Sequence, residues 1–443
     1  MEKKTEFLPA EAEKKAAISL KASSTAWPDG DPSLDLIIPG LPNDLAFLCL
    51  AFLPFSHYNR LKPTSKAWRS ALSSKFLFDL RREWRRTEEF LCVFPSDPSL
   101  STGALFDPRF LLWSLLPPMP CHPHRFDLSN FVCASAGSSL FVLGGSFFDA
   151  RSYPLGVPLP SSAVFSLSLP DFSWQPRSPM LNGRAGFACA TRPSADGRTC
   201  IFVAGGGSRH LELGVGGLRI GAVEWYDVEK DEWFAMDEQL PDVRAGCVGF
   251  FLGEDEFWVM GGYGDCRTVS GVFPVDDYYR DGAVLGLKRG QWRSIEPMWE
   301  EGERWRLGSI VVVEGECGEA PEIFMLEEST IFRPSKERSK KGDDGRWKWL
   351  PLTFDKASNK WDIESPLPRK IQGDRSNGFT ALDGELHVMS EMTTDLDLSR
   401  TQKGVPLFIQ VYHPKKKTWK FLRTKSPVGN IDFRYTVMCS IRL

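Results

Sequence analysis

Apolar runs that end in paired glycines set the rhythm of the chain: FVLGG at 141–145, IFVAGG at 201–206 and FWVMGG at 257–262. Each is followed by a second apolar stretch, a polar turn and a tryptophan, as in AVFSLSLPDFSW, AVEWYDVEKDEW and AVLGLKRGQW. Runs without polar alternation predict strands packed on both faces. The glycines predict a sharp turn near a central channel, where residues without Cβ reach positive φ cheaply. Trp113, Trp174, Trp233, Trp292, Trp361 and Trp419 recur roughly every 60 residues. A long fixed period means one supersecondary unit copied along the chain. Two later copies lack the glycines, with apolar runs at 323–326 and 386–389 leading to FDKASNKW and VYHPKKKTW. The earliest copy, FLCVF at 90–94 with ALFDP and Leu112-Trp113, lacks a first strand, and YTVMCSIRL at 435–443 is a strand without a unit. The pattern predicts a mainly β chain: a six-bladed β-propeller over 88–443, closed by the C-terminal strand so that no sheet edge is left open.

The pattern changes at 36–82, where a small all-α unit is predicted. Leu41, Leu45, Leu48 and Phe52 fall at helical spacing. Pro42 suits a first turn and Asp44 the positive end of the helix dipole, while Leu53-Pro54 ends the helix. A second stretch carries Trp68 and Leu72, then Phe76, Leu77 and Leu80. So small a unit buries little core alone and needs a neighbour or a partner. Residues 1–35, of mixed charge with Ser, Pro and Gly, read as a tail without a fold.

Composition narrows the function. Of 443 residues, 54 are basic and 57 acidic, a net charge of −3 that favours neither nucleic acid nor a membrane surface. No apolar run is long enough to span a bilayer, and the N-terminus lacks a signal peptide's apolar centre. The ten cysteines show no Cys-x-x-Cys spacing and sit mostly in apolar strands, which points to reduced core thiols in the cytoplasm or nucleus.

LPNDLAFLCLAFLP followed by SKAWRSAL resembles the F-box, and the repeats resemble kelch repeats. From about residue 38 onward the chain is similar to plant F-box/kelch-repeat proteins. The resemblance implies a substrate receptor of an SCF-type cullin–RING ubiquitin ligase. The F-box would bind a Skp-type adaptor through Leu41, Pro42, Leu45, Leu50, Leu53, Pro54 and Trp68. The propeller would hold a target protein, among relatives a phenylpropanoid-pathway enzyme or a light-signalling component. Where many F-boxes carry Val-Cys, this chain has Thr64-Ser65 after Pro63, so that a helix begins at Pro63 or the middle helix is short. That departure leaves open a second role, a kelch interaction scaffold outside any ligase.

Arg184-Ala-Gly, Arg244-Ala-Gly and Arg306-Leu-Gly stand at one place in successive repeats, just before the innermost strand, with Asn182 and Asn377 in corresponding links. Three guanidiniums at one end of the channel would grip carboxylates or carbonyls of a substrate. Alternatively, each arginine bonds to carbonyls of neighbouring blades as part of the architecture. KERSKK at 336–341 and Lys415-Lys416-Lys417 read as solvated loops. The glycine-rich stretch at 205–217 opens no helix and lacks a Gly-Lys-Ser/Thr ending, which excludes a phosphate loop. With six histidines, and Cys121, His122 and His124 adjacent on a proline-stiffened link, neither a metal or other cofactor nor catalysis by this chain is expected.

Overall fold

The computed structural model describes residues 36–443 apart from 95–96, 99–100, 121–124, 150, 152–157, 194–198, 208–217, 270–272, 296, 298–308, 314–320, 328–329, 335–360, 370–376, 392–404, 429–430 and 434. The expected tail, the 336–341 run, the Cys121-His122-His124 group and Arg306 therefore lie outside the described residues.

Strands dominate after a short helical start. Among the described residues there are six four-stranded antiparallel sheets, each a meander from the channel outward. The glycine-ended runs form the second strand of their sheets, at Ser139–Leu143, Thr199–Ala204 and Glu256–Met260. The innermost strands, Val132–Ala136, Ala188–Pro193 and Val248–Leu252, are less fully buried than the runs beside them. The apolar runs thus stand one place out from the channel, behind the strands that follow the Arg-Ala-Gly links, where neighbouring sheets cover both their faces. Both glycines of each pair are left-handed, with φ of 60° and 95° at Gly144 and Gly145, repeated within 10° at 205–206 and 261–262.

Six apolar clusters fill the spaces between sheets in succession. Phe141 and Leu143 of the second sheet meet Ile201 and Val203 of the third. The last cluster joins Met389, Ile409 and Val411 of the sixth sheet to Leu91, Val93 and Phe106 of the first. Closure is also covalently out of order: the C-terminal strand Val437–Arg442 pairs with Glu89–Phe94 along its whole length, Cys92 opposite Cys439. The reciprocal bonds from Glu88 N–H to the Leu443 carbonyl (2.8 Å) and back (2.9 Å) extend this pairing to the chain's end.

All six periodic tryptophans stand on outermost strands, near their start. Four of their indole N–H groups reach back to the preceding sheet's outer edge. Trp174 donates to the Pro117 carbonyl (2.8 Å), Trp233 to that of Ser178 (2.9 Å), and Trp419 to Ser365 Oγ (3.1 Å). Trp113 donates to Thr424 Oγ1 (2.9 Å) across the closure. The period read from the sequence is therefore a periodic stitch between sheets.

The helical unit comprises α1 (Asn43–Ala51), a 3-10 turn (Phe55–His57), α2 (Tyr58–Leu61), α3 (Lys66–Ser73) and α4 (Lys75–Glu83). Ser65 and Ser74 cap α3 and α4 by accepting from the N–H groups of Trp68 (3.1 Å) and Leu77 (3.3 Å). Pro63 sits exposed in the turn after α2, which is only four residues long; of the two expectations, the short middle helix is the one found. The unit shares one apolar cluster with the first two sheets. Its seam is polar as well as apolar. Arg81, fully buried, donates to the Ala51 carbonyl (2.9 Å), to Tyr58 Oη (3.2 Å) and to Glu88 Oε2 (3.1 Å). Glu88 also accepts from the Phe55 N–H (3.0 Å) and pairs with Arg109 of the first sheet.

Candidate functional site

Helix α1 is apolar all round, which a helix buried on one side does not need. Ala46, Phe47, Leu50 and Ala51 face the interior. Leu45 (45% exposed), Cys49 and Phe52 (49% exposed) face outward at steps of four and three. Pro42 is exposed at the N-cap position, one residue before the expected first turn, and Asp44 lies in the first turn. Phe52 is held at the helix end by the Arg86 guanidinium over its ring (4.5 Å) and by the edge of Trp84 (6.1 Å). The outward face is thus an ordered apolar strip with an acidic start.

The residues expected to face an adaptor divide accordingly. Pro42 and Leu45 are presented to solvent. Leu41, Leu53 and Trp68 are half-buried against the core of the helical unit, and Pro54 is half-buried at the start of the 3-10 turn. Leu50 is a correction: at 1% exposure it is core and offers no surface to a partner. Cys49 and Phe52 belong in the strip and were not assigned to it, although the spacing from Leu45 carries the signal.

The arginine links require a second correction. Arg184 and Arg244 are wholly buried and take the architectural alternative. Arg184 Nη1 donates to the carbonyls of Gly205 (2.8 Å) and Ala222 (2.9 Å), and its Nη2 pairs with Glu224, itself buried. Burial without water pulls the Arg184 pKa down, opposed by Glu224. Arg244 repeats the arrangement one blade on, with Asp281 Oδ1 (2.9 Å) and the Gly261 carbonyl (3.3 Å), and stacks over Tyr279 (4.1 Å). The physical reason is that the left-handed glycine turns leave buried carbonyls needing donors, and a guanidinium supplies several from one side chain. Asn182 is exposed, with Nδ2 donating to Glu224 Oε1 (2.8 Å), and Asn377 is half-buried.

Beside the exposed Asn182 and Asp242, this end of the propeller also presents apolar side chains. Leu181 (56% exposed) and Val243 stand in the links before Arg184 and Arg244, at different positions in the link. Leu159 and Leu218 (62% exposed) follow the glycine turns of the second and third sheets, also at the surface. Position in the repeat did not reveal this, since only the fold brings these four to one rim. The strand thiols carry no such surface chemistry: burial pushes Cys247 up to about 11 and Cys439 to about 12, so both stay protonated.

Comparison with known proteins bears first on the helical unit. The family model for the F-box domain matches residues 38–80. F-box/kelch-repeat protein OR23 of Arabidopsis thaliana is 46% identical over 437 residues, covering 93% of each chain. F-box/kelch-repeat protein SKIP30 of the same plant is 32% identical over 219 residues, 49% of this chain and 58% of its own. F-box protein AFR, also from Arabidopsis thaliana, is 28% identical over 62% of this chain and 66% of its own.

Proposed function

The chain belongs to the F-box/kelch-repeat proteins, and from that premise we propose that it is the substrate-recognition subunit of an SCF-type cullin–RING ubiquitin ligase. The observation that carries the proposal is the outward strip of α1, an ordered apolar face inside the F-box match with no covering element among the described residues. Such a strip is what a helix offers to the groove of a partner, here a Skp-type adaptor and through it the cullin. The propeller holds the target protein. Leu159, Leu181, Leu218 and Val243 replace Arg184 and Arg244 as the candidate target-facing residues. The chain itself makes and breaks no bonds. It raises the local concentration of target lysines near a charged conjugating enzyme. Protonated, buried thiols suit a reducing compartment, the cytoplasm or nucleus.

The test separates capture from turnover. A Leu45→Asp, Phe52→Asp variant keeps the rim intact and loses the adaptor, so targets should accumulate on it. Ubiquitinated forms of the same captured proteins should appear only with the unaltered chain. The short α2 before Pro63 favours the second reading, a scaffold outside any ligase. That reading would be upheld if captured proteins were identical in amount and ubiquitination with both forms.

A further inference from the structure

A cavity of about 190 Å³ opens at the seam between the helical unit and the first sheet. Its walls are aromatic: Phe55 from the 3-10 turn, Phe90 and Trp113 from the first sheet, and Phe172 from a turn of the second. These rings are mutually fixed, Phe55 lying 5.4 Å from Phe90 and stacked parallel to Phe172 at 6.4 Å. Ser56 also lines the cavity, and its Oγ, buried from solvent, has no hydrogen-bond partner among the described residues. Nearly all buried hydroxyls are satisfied. One water would satisfy this one, but the space is several times the ~30 Å³ a water occupies. A dry cavity of about 150 Å³ accepts benzene, so this one admits a ring with one polar substituent. The charged side chains of the lining point to the sign of that substituent. Asp107 is buried and already bonded to Arg109 through both oxygens, at 3.2 Å and 3.0 Å, whereas Arg60 is exposed. The cationic side chain therefore keeps its charge available to a ligand.

We propose that the cavity between the 3-10 turn and the first sheet, walled by Phe55, Phe90, Trp113 and Phe172 with Ser56 inside and Arg60 in its lining, binds a small aromatic monocarboxylate. The ring stacks among the aromatic walls and the carboxylate accepts from Ser56 Oγ and Arg60. Because its walls come from both units, an occupied cavity ties the helical unit more firmly to the propeller. The inference stands apart from the ligase role and is read on the isolated full chain.

Benzoate is the probe, with benzamide as its uncharged counterpart, followed by ligand-observed NMR and by thermal melting. Saturable benzoate binding in the millimolar range or tighter is expected, with a rise in Tm and weaker binding of benzamide. Ser56→Ala should weaken benzoate about fivefold, the size of one hydrogen bond. Leu112→Trp, at an exposed lining position, should block it while leaving the unliganded Tm unchanged. Absence of saturation by about 50 mM benzoate would overturn the proposal. So would benzoate affinity that Leu112→Trp leaves unaltered, which would place the binding elsewhere, or benzamide binding as tight as benzoate.

Discussion

Arg184 bonds in two directions at once. Its carbonyl accepts from the Gly145 N–H (2.9 Å) of the second sheet's glycine pair, and its guanidinium reaches the Gly205 carbonyl of the third. Arg244 does the same between Gly206 (2.8 Å) and Gly261. The recurrence of Arg-Ala-Gly was legible in the sequence; its direction was not. Spacing places a residue before a strand but does not say whether the link folds its side chain inward. Arg184→Ala leaves Glu224 charged and buried, so a loss of about 3–5 kcal/mol is expected. Denaturant titration measures it, and Arg184→Lys should recover little because one ammonium cannot replace the guanidinium fork. His387, 2% exposed on an inner strand, is a pH-sensitive position. Its Nδ1 lies 3.2 Å from the Glu385 carbonyl, and burial lowers its pKa from 6.5 to about 4. The unfolded chain takes the proton first, so stability is full above about pH 6.5 and falls as pH drops toward 4, by up to roughly 3 kcal/mol. Tm measured across that range should flatten in His387→Phe.

At the scale of the element, α1 shows why sequence alone misassigns faces. Nine residues, NDLAFLCLA, are apolar on every side after the first turn. Helical spacing does name Phe52 with Leu41, Leu45 and Leu48, but Leu50 joins the adaptor-facing set only through the F-box resemblance, and with no polar side the pattern cannot tell the packed face from the open one. Once the helix is docked, the small residues Ala46 and Ala51 mark the packed side, because they allow close approach to α4. Two substitutions separate the faces. Leu50→Asp puts an unpaired carboxylate in the core and should unfold the helical unit, whereas Leu45→Asp should leave far-UV circular dichroism and Tm unchanged. A smaller effect belongs to α3, where Ser65→Ala removes the cap on the Trp68 N–H and should cost about 1 kcal/mol of stability.

For the whole molecule, the sequence carried the architecture because the repeat is long and four of its six tryptophans bond to the preceding sheet. The closing strand was legible for a different reason. A partial first unit and an orphan strand at the other end complete one sheet, and the structure pairs them at six positions. The helical unit's docking was not legible, since Arg81, Glu88 and Arg109 meet only after both parts have folded. Removal of 437–443 should open the first sheet, expose the edge at Glu89–Phe94 and strand the Glu88 hub. Limited proteolysis and light scattering should then report early cleavage and aggregation rather than a shortened but stable ring. The binding of adaptor at α1 is the claim on which the molecule's role depends, and calorimetry with purified Skp-type adaptor and the full chain measures it most directly. Saturable binding to the unaltered protein, lost in Leu45→Asp, Phe52→Asp at unchanged Tm, is the predicted result. Equal binding by both forms, or none by the folded unaltered chain, would contradict it.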